Sequence, residues 1–168
     1  QLDYMLAEFD NTIYPTVTTI YGAPLPRGEE GQKVWTLLFN IRDDAYYNPA
    51  ATTYAAGYFS ASSSATNNKN IMHIDTFEWE NRTGPAPHPD PDRSRPYLYE
   101  GTFAHEFEHL VHFDIDPDEP SWVDEGLADL AGFFCGYGHS EDHIAYYMVY
   151  HPFTSLTFWG SGLEDYGA

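Results

Sequence analysis

One stretch limits this chain more than any other: His105-Glu106-Phe107-Glu108-His109, HEFEH, within a segment that reads as a helix from Pro96 to about Phe113. On a helix, His105 and His109 lie four positions apart and project from one face, close enough for both imidazoles to reach a single ion. Glu106 points beside that axis, where it can touch a water held by the ion without being a ligand. The spacing is that of H-E-x-x-H, two ligands and a general base. Neutral imidazole suits Zn²⁺, which acts as a Lewis acid on water. One zinc ion is therefore the expected cofactor.

A catalytic zinc needs a third protein ligand. A version of the motif that takes a third histidine six residues after His109 requires Gly and His where this chain has His112 and Ile115, so it is excluded. The alternative lies on the next helix, predicted from Ser121 to about Cys135. Ser121-Trp122-Val123-Asp124 reads as a capping box at its start, and Gly136 and Gly138 stop it. Glu125 and Asp129 share a face with the small residues Ala128 and Gly132, which lets that face press against the first helix. Glu125 is then the third metal ligand, and Asp129 accepts the ring N–H of His105 and fixes its tautomer. The opposite stripe, Val123, Leu127, Leu130 and Phe134, is apolar and is expected to face the core.

The rest of the chain bounds the fold. With 168 residues and 42% hydrophobic content, it suits one domain with a real core. A helix is predicted over residues 2–13 and a short second one from Pro15 to near Gly22. KVWTLLFNI (33–41) reads as a buried strand, and TYAAGYFSA (53–61) and NIMHIDTFEW (70–79) as two more, separated by a polar turn region in SSSATNNKN (62–70). The proline-rich stretch 81–96 reads as an extended surface loop, and a third helix is expected from about Ser140 to Tyr150. A strand-rich part, 1–95, thus precedes a metal-binding helical part, 96–150, and the expected class is α+β in one domain over 1–168.

A formal charge of −19 works against nucleic acid and anionic lipid as partners. No apolar run approaches the ~20 residues that span a bilayer. The chain starts at Gln1 without an initiator Met or a signal peptide, which raises two readings, removal of a leader or pro-segment or trimming of the start. Composition fits a secreted protein. The lone Cys135, in an apolar FFCG context, reads as an inert buried thiol.

HEFEH followed by SWVDEGLADL resembles the gluzincin branch of the zincin metallopeptidases, specifically over residues 101–135. WVDEGLAD, FDNTIYP near the start and the pairing of strands with a proline-rich loop are most similar to the hyicolysin and immune inhibitor A types of secreted bacterial peptidase. The resemblance implies a zincin-like fold: a mixed twisted sheet packed on an active-site helix and a following glutamate helix. It implies an edge strand, for which YAAGYFSA is the candidate, that pairs with a protein or peptide substrate in extended conformation. It also implies a C-terminal helical subdomain that supplies a Tyr or His to the oxyanion. The chain ends at Ala168, so it is expected to be either a minimal form or a piece. His139, His143, Tyr146, Tyr147, His151 and Tyr166 all qualify for that role in the sequence.

Lesser features have plainer readings. His112 reads as a hydrogen-bonded helix histidine, and His73 and His88 are expected to have no metal role. Asp114 to Glu119, DIDPDE, raises a calcium site against a solvated acidic turn, but without the Gly and Glu of an EF-hand loop. Two functional readings follow: a zinc endopeptidase with Glu106 as general base, or a non-catalytic secreted surface module that keeps a structural zinc. A binding module has no use for Glu106, which favours the first.

Overall fold

The structure, a computed structural model, describes residues 2–48, 50–51, 53–77, 98–160 and 162–167. The proline-rich stretch 81–96 and His88 lie outside the described residues. The chain is α+β, a mixture of helices and a small three-stranded sheet.

Among the described residues up to 77, more lie in helical segments than in strands. Helix α1 (Leu2–Glu8) passes through a π-helical segment (Phe9–Ile13) straight into α2 (Tyr14–Tyr21), where two separate helices were expected. In a regular α-helix Pro15 would clash with the carbonyl four residues earlier and leave it unbonded. The wider π turn, closed by the Tyr14 N–H on the Phe9 carbonyl, absorbs this, and Pro15 then sits in the first turn of α2. Met5, Ile13 and Val17 face inward.

Strand β1 (Val34–Phe39) follows, then a single helical turn, α3 (Asp44–Tyr47), capped by the Asp43 carboxylate. Next come β2 (Gly57–Phe59), α4 (Ala61–Asn67) and β3 (Asn70–Asp75). The sheet order is β1-β3-β2, with β1 parallel and β2 antiparallel to the central β3. Every β3 residue is buried. β1 is the strand expected to be buried, yet its Leu37 and Phe39, two positions apart and so on one face, are exposed. The polar stretch expected as a turn is α4 instead. Ser60 caps it by accepting from the Ser63 N–H at 3.2 Å, and Asn68 ends it in the left-handed region at φ 51°. Its serines and alanines are compatible with a short helix once both ends are capped.

Helix α5 (Leu98–Ile115) lies against the sheet, the N-terminal helix and α6 (Ser121–Phe134). Phe103, Phe107, Leu110 and Val111, at helical spacing, fill the core with Met72 and Ile74 of β3. The opposite side of α5 carries His105 and His109 towards α6. Ala128, Ala131 and Gly132 are the buried residues of α6, and a Cβ on Gly132 would meet the Gly101 Cα at 3.7 Å. The small face makes the contact. The apolar stripe expected in the core is only half covered: Val123 and Leu127 are half-buried, while Leu130 and Phe134 are 39% and 46% exposed. Close approach of two helix backbones is made through the small residues of α6, and Leu130 and Phe134 are left outside.

The start of α6 also differs from the capping-box reading. Pro120 is the cap residue, and its carbonyl accepts from the Val123 and Asp124 N–H groups at 2.9 and 3.1 Å. Neither the Ser121 hydroxyl nor the Asp124 carboxylate caps the helix. Gly136, at φ 88°, ends it. Helix α7 (Glu141–Ala145) runs into a π-helical segment (Tyr146–Tyr150), and α8 (Leu163–Tyr166) closes the described chain. Asp165 accepts the Gly160 and Gly162 N–H groups, each at 2.9 Å, and so fixes the entry to α8. No described helix is long and apolar enough to cross a membrane.

Candidate metal centre

The α5–α6 contact brings His105, His109 and Glu125 together. The two Nε2 atoms lie 3.0 Å apart, and Glu125 Oε2 is 3.2 Å from His105 Nε2 and 3.3 Å from His109 Nε2. The three side chains are only 16%, 11% and 18% exposed. The opposite ring nitrogens are both committed: His105 Nδ1 donates to Asp129 Oδ1 at 2.9 Å, and His109 Nδ1 donates to Asp124 Oδ1 at 3.1 Å. Each Nε2 therefore presents a lone pair to the other and to a carboxylate oxygen. Glu125 Oε2 is buried and forms no well-aligned hydrogen bond.

Three converging lone pairs repel unless positive charge sits between them. That charge is either a proton or a metal ion. Ligands on Zn–N and Zn–O bonds of about 2.0–2.2 Å in a tetrahedron stand about 3.4 Å apart, close to the separations found here. The donor set of two imidazoles and a carboxylate fits zinc.

The electrostatics agree with this reading. Burial works against the charged ring of His105, but Asp129, Glu125 and the Glu106 charge outweigh it and raise its pKa to about 9. His109 is raised well above its ordinary value against the same burial, by Asp124, Glu125 and Glu106. Burial likewise opposes ionisation of Glu125, yet the two histidines hold its pKa down to about 2. Asp129 is lowered despite its burial by His105 and His143. The pocket thus holds its carboxylates charged and draws a cation to them.

Glu106 is buried at 5% exposure beside the two histidines. Burial raises its pKa, while His105, His109 and the Phe59 backbone N–H favour its charged form. That amide belongs to β2, whose outer edge is unpaired among the described strands. β2 comes this close because residue 57 is glycine: a Cβ there would lie 2.9 Å from the His73 carbonyl oxygen and from Thr102 Cγ2, and 3.0 Å from Glu106 Cγ.

Asp124 is the residue that sequence reasoning misplaced. As a helix cap it had no link to the site; in the fold it orients His109. The available signal was its position beside Glu125, one residue round the helix from a candidate ligand. Of the residues expected as candidates for the oxyanion role, Tyr166 and His143 lie at this cluster. Tyr166 faces Glu125, and burial, reinforced by Glu125, Glu106 and Asp129, pushes its pKa up. His143 stands next to it, with ring centroids 4.9 Å apart, and donates from Nδ1 to Asp129 Oδ2 at 2.7 Å. His139 and His151 instead stack on Phe133 and Tyr146.

A second group of donors, Glu108, His109 and Asp124, is the Nδ1 end of the same His109. Glu108 is fully buried and accepts from His112 Nδ1 at 3.1 Å, so His112 is a hydrogen-bonded helix histidine. His73 stacks on Tyr58 at 4.3 Å and donates from Nδ1 to the Tyr58 carbonyl, away from the centre. Of the acidic run 114–119, Asp114 lies in the last turn of α5, pairs with Arg27 and accepts the Leu25 N–H. Cys135 is buried, and burial lifts its thiol to about 11. No known family model matches the chain, and no curated protein matches it in sequence.

Proposed function

We propose that this protein is a zinc-dependent endopeptidase of the gluzincin type, with a zincin-like arrangement of edge strand, active-site helix and glutamate helix. The observation that carries the reading is the convergence of His105 Nε2, His109 Nε2 and Glu125 Oε2, with buried Glu106 beside them. His105, His109 and Glu125 hold the ion, and Asp129 and Asp124 hold the two rings in the tautomer that leaves each Nε2 free. A bound zinc supplies Lewis acidity towards water and the peptide carbonyl.

The remaining steps fall to this chain's own residues. The Glu106 carboxylate accepts a proton from the attacking water and delivers it to the leaving amine nitrogen. Burial, which raises its affinity for a proton, suits it to both halves of that exchange. The Tyr166 hydroxyl is the donor available to the oxygen that gains negative charge. The edge of β2 that is unpaired among the described strands offers backbone hydrogen bonds to an extended peptide laid beside Glu106. An extended protein or peptide chain is the substrate, and secretion from a bacterial cell is the setting that the family resemblance supports. The strongly acidic composition argues against nucleic acid as a partner.

The test is metal content by mass spectrometry on protein purified without added metal, run beside hydrolysis of an unstructured fluorescent protein by the unaltered chain and by Glu106→Ala. About one zinc per chain, with hydrolysis lost in the variant, is expected. Zinc without hydrolysis in either sample would favour the non-catalytic module. Absence of zinc would reduce HEFEH to two histidines on a helix.

A further inference from the structure

Asp129 has two carboxylate oxygens and two histidine partners. Oδ1 accepts from His105 Nδ1 at 2.9 Å, and Oδ2 accepts from His143 Nδ1 at 2.7 Å. A carboxylate held through one oxygen still turns about its last torsion, which has only a broad preference. Held through both, its plane is set, and with it the direction in which Oδ1 meets the His105 ring. His143 comes from α7, an element that provides none of the three ligands. Its ring also lies 4.9 Å from that of Tyr166 on α8.

The backbone around His143 holds it there. Gly167 packs directly on the His143 carbonyl, where a Cβ would overlap it. The Ile144 N–H donates to the Ser140 carbonyl at 3.1 Å. The imidazole is 24% exposed, so the Asp129 contact is sheltered without being sealed in the core.

We infer that His143 is a positioning residue of the centre: through Asp129 it orients the His105 ligand, and through its ring it seats Tyr166 beside Glu125. The inference rests on the metal-centre reading above. It makes α7 and α8 part of the site, although neither contains a metal ligand. A histidine that merely fills space on α7 would contribute volume; a positioning histidine contributes one N–H at one place.

That distinction sets the experiment, made on the full chain. In His143→Asn the amide nitrogen overlies the place of Nδ1 and keeps the donor. In His143→Gln it sits one bond too far, and His143→Ala has none. Zinc affinity is measured by competition with a chromogenic chelator, the visible absorption of the Co²⁺-loaded protein reports ligand geometry, and thermal unfolding of the metal-free chains reports folding. The Ala and Gln variants should bind zinc on the order of 10-fold more weakly, at the low end for partners of ligating histidines, with a changed Co²⁺ spectrum. The Asn variant should recover most of the affinity and the unaltered spectrum. Ala and Gln variants that match the unaltered chain in both readouts would overturn the inference, as would an Asn variant no better than Ala. Failure of the unaltered chain itself to take up zinc would overturn the metal-centre reading first, a result seen before any variant is compared.

Discussion

Zinc uptake by this centre should displace protons, and the pH dependence of affinity follows from the geometry. His105 and His109 donate from Nδ1 to Asp129 and Asp124, so the facing Nε2 atoms, 3.0 Å apart, are where the metal-free site must hold its positive charge. The pKa of His105, raised to about 9, leaves that ring largely protonated at pH 7 without metal. His109 is raised as well, but two protons pointing at each other do not fit in that gap. At least one proton must therefore leave for each zinc bound near neutral pH. Glu125, held down to about 2, stays ionised and adds no slope in this range. Each displaced proton weakens zinc binding tenfold, or about 1.36 kcal/mol, per unit of pH below the raised value. Between pH 8 and pH 6 the affinity should fall by about 100-fold or more.

The same shift has the opposite sign for the metal-free protein. A raised histidine pKa stabilises the fold fully below the unfolded value of 6.5, and that contribution is lost as pH rises towards about 9. Heat stability of the metal-free chain should decline over this interval while the stabilisation by zinc grows. Calorimetry in two buffers of different ionisation enthalpy counts the protons released, and chelator competition from pH 6 to 8 gives the slope. Zero protons released at pH 7 together with a flat affinity would refute the argument that three lone pairs converge on a shared positive charge.

Other perturbations separate the roles of the surrounding residues. Asp129→Ala should weaken zinc more than Asp124→Ala, within the about 10 to 100-fold usual for such partners, because the Asp129 side chain is 16% exposed and that of Asp124 is 35%; chelator competition that ranks them in the reverse order would contradict this. Tyr166→Phe should keep zinc affinity while kcat falls by about 10 to 100-fold, within the cost of losing one oxyanion donor or somewhat below it; an unchanged kcat would remove Tyr166 from the mechanism. Gly57→Ala places a methyl 2.9 Å from the His73 carbonyl and 3.0 Å from Glu106 Cγ. It should cost about 1–3 kcal/mol, as overpacking does, and reduce hydrolysis by shifting β2, whereas an unfolding curve that matches the unaltered chain would show that β2 does not approach α5 so closely.

The sequence by itself determined what depends on local period. His105 and His109 share a face because an α-helix repeats every 3.6 residues, and Glu125 and Asp129 share one for the same reason. A spacing of four needs no knowledge of the rest of the chain. The central strand was legible too, since Ile71, Met72 and Ile74 make the stretch after the polar SSSATNNKN segment apolar and rich in β-branched residues.

Only the tertiary structure decided what those faces meet. Asp124 reads as a helix cap as long as α6 is considered alone; once Pro120 supplies the cap carbonyl, the carboxylate is released to His109. The apolar stripe of α6 has the pattern of a core face, but Ala128, Ala131 and Gly132 permit a closer approach to α5 at Gly101, and that contact turns Leu130 and Phe134 outward. His143 and Tyr166 reach the centre from elements 14 and 41 residues beyond Asp129 and Glu125, on helices too short to announce a face. Local spacing fixes which side chains lie together on one element. Which elements close over them is settled by how near two backbones can come, and a single glycine or proline at the contact changes that distance.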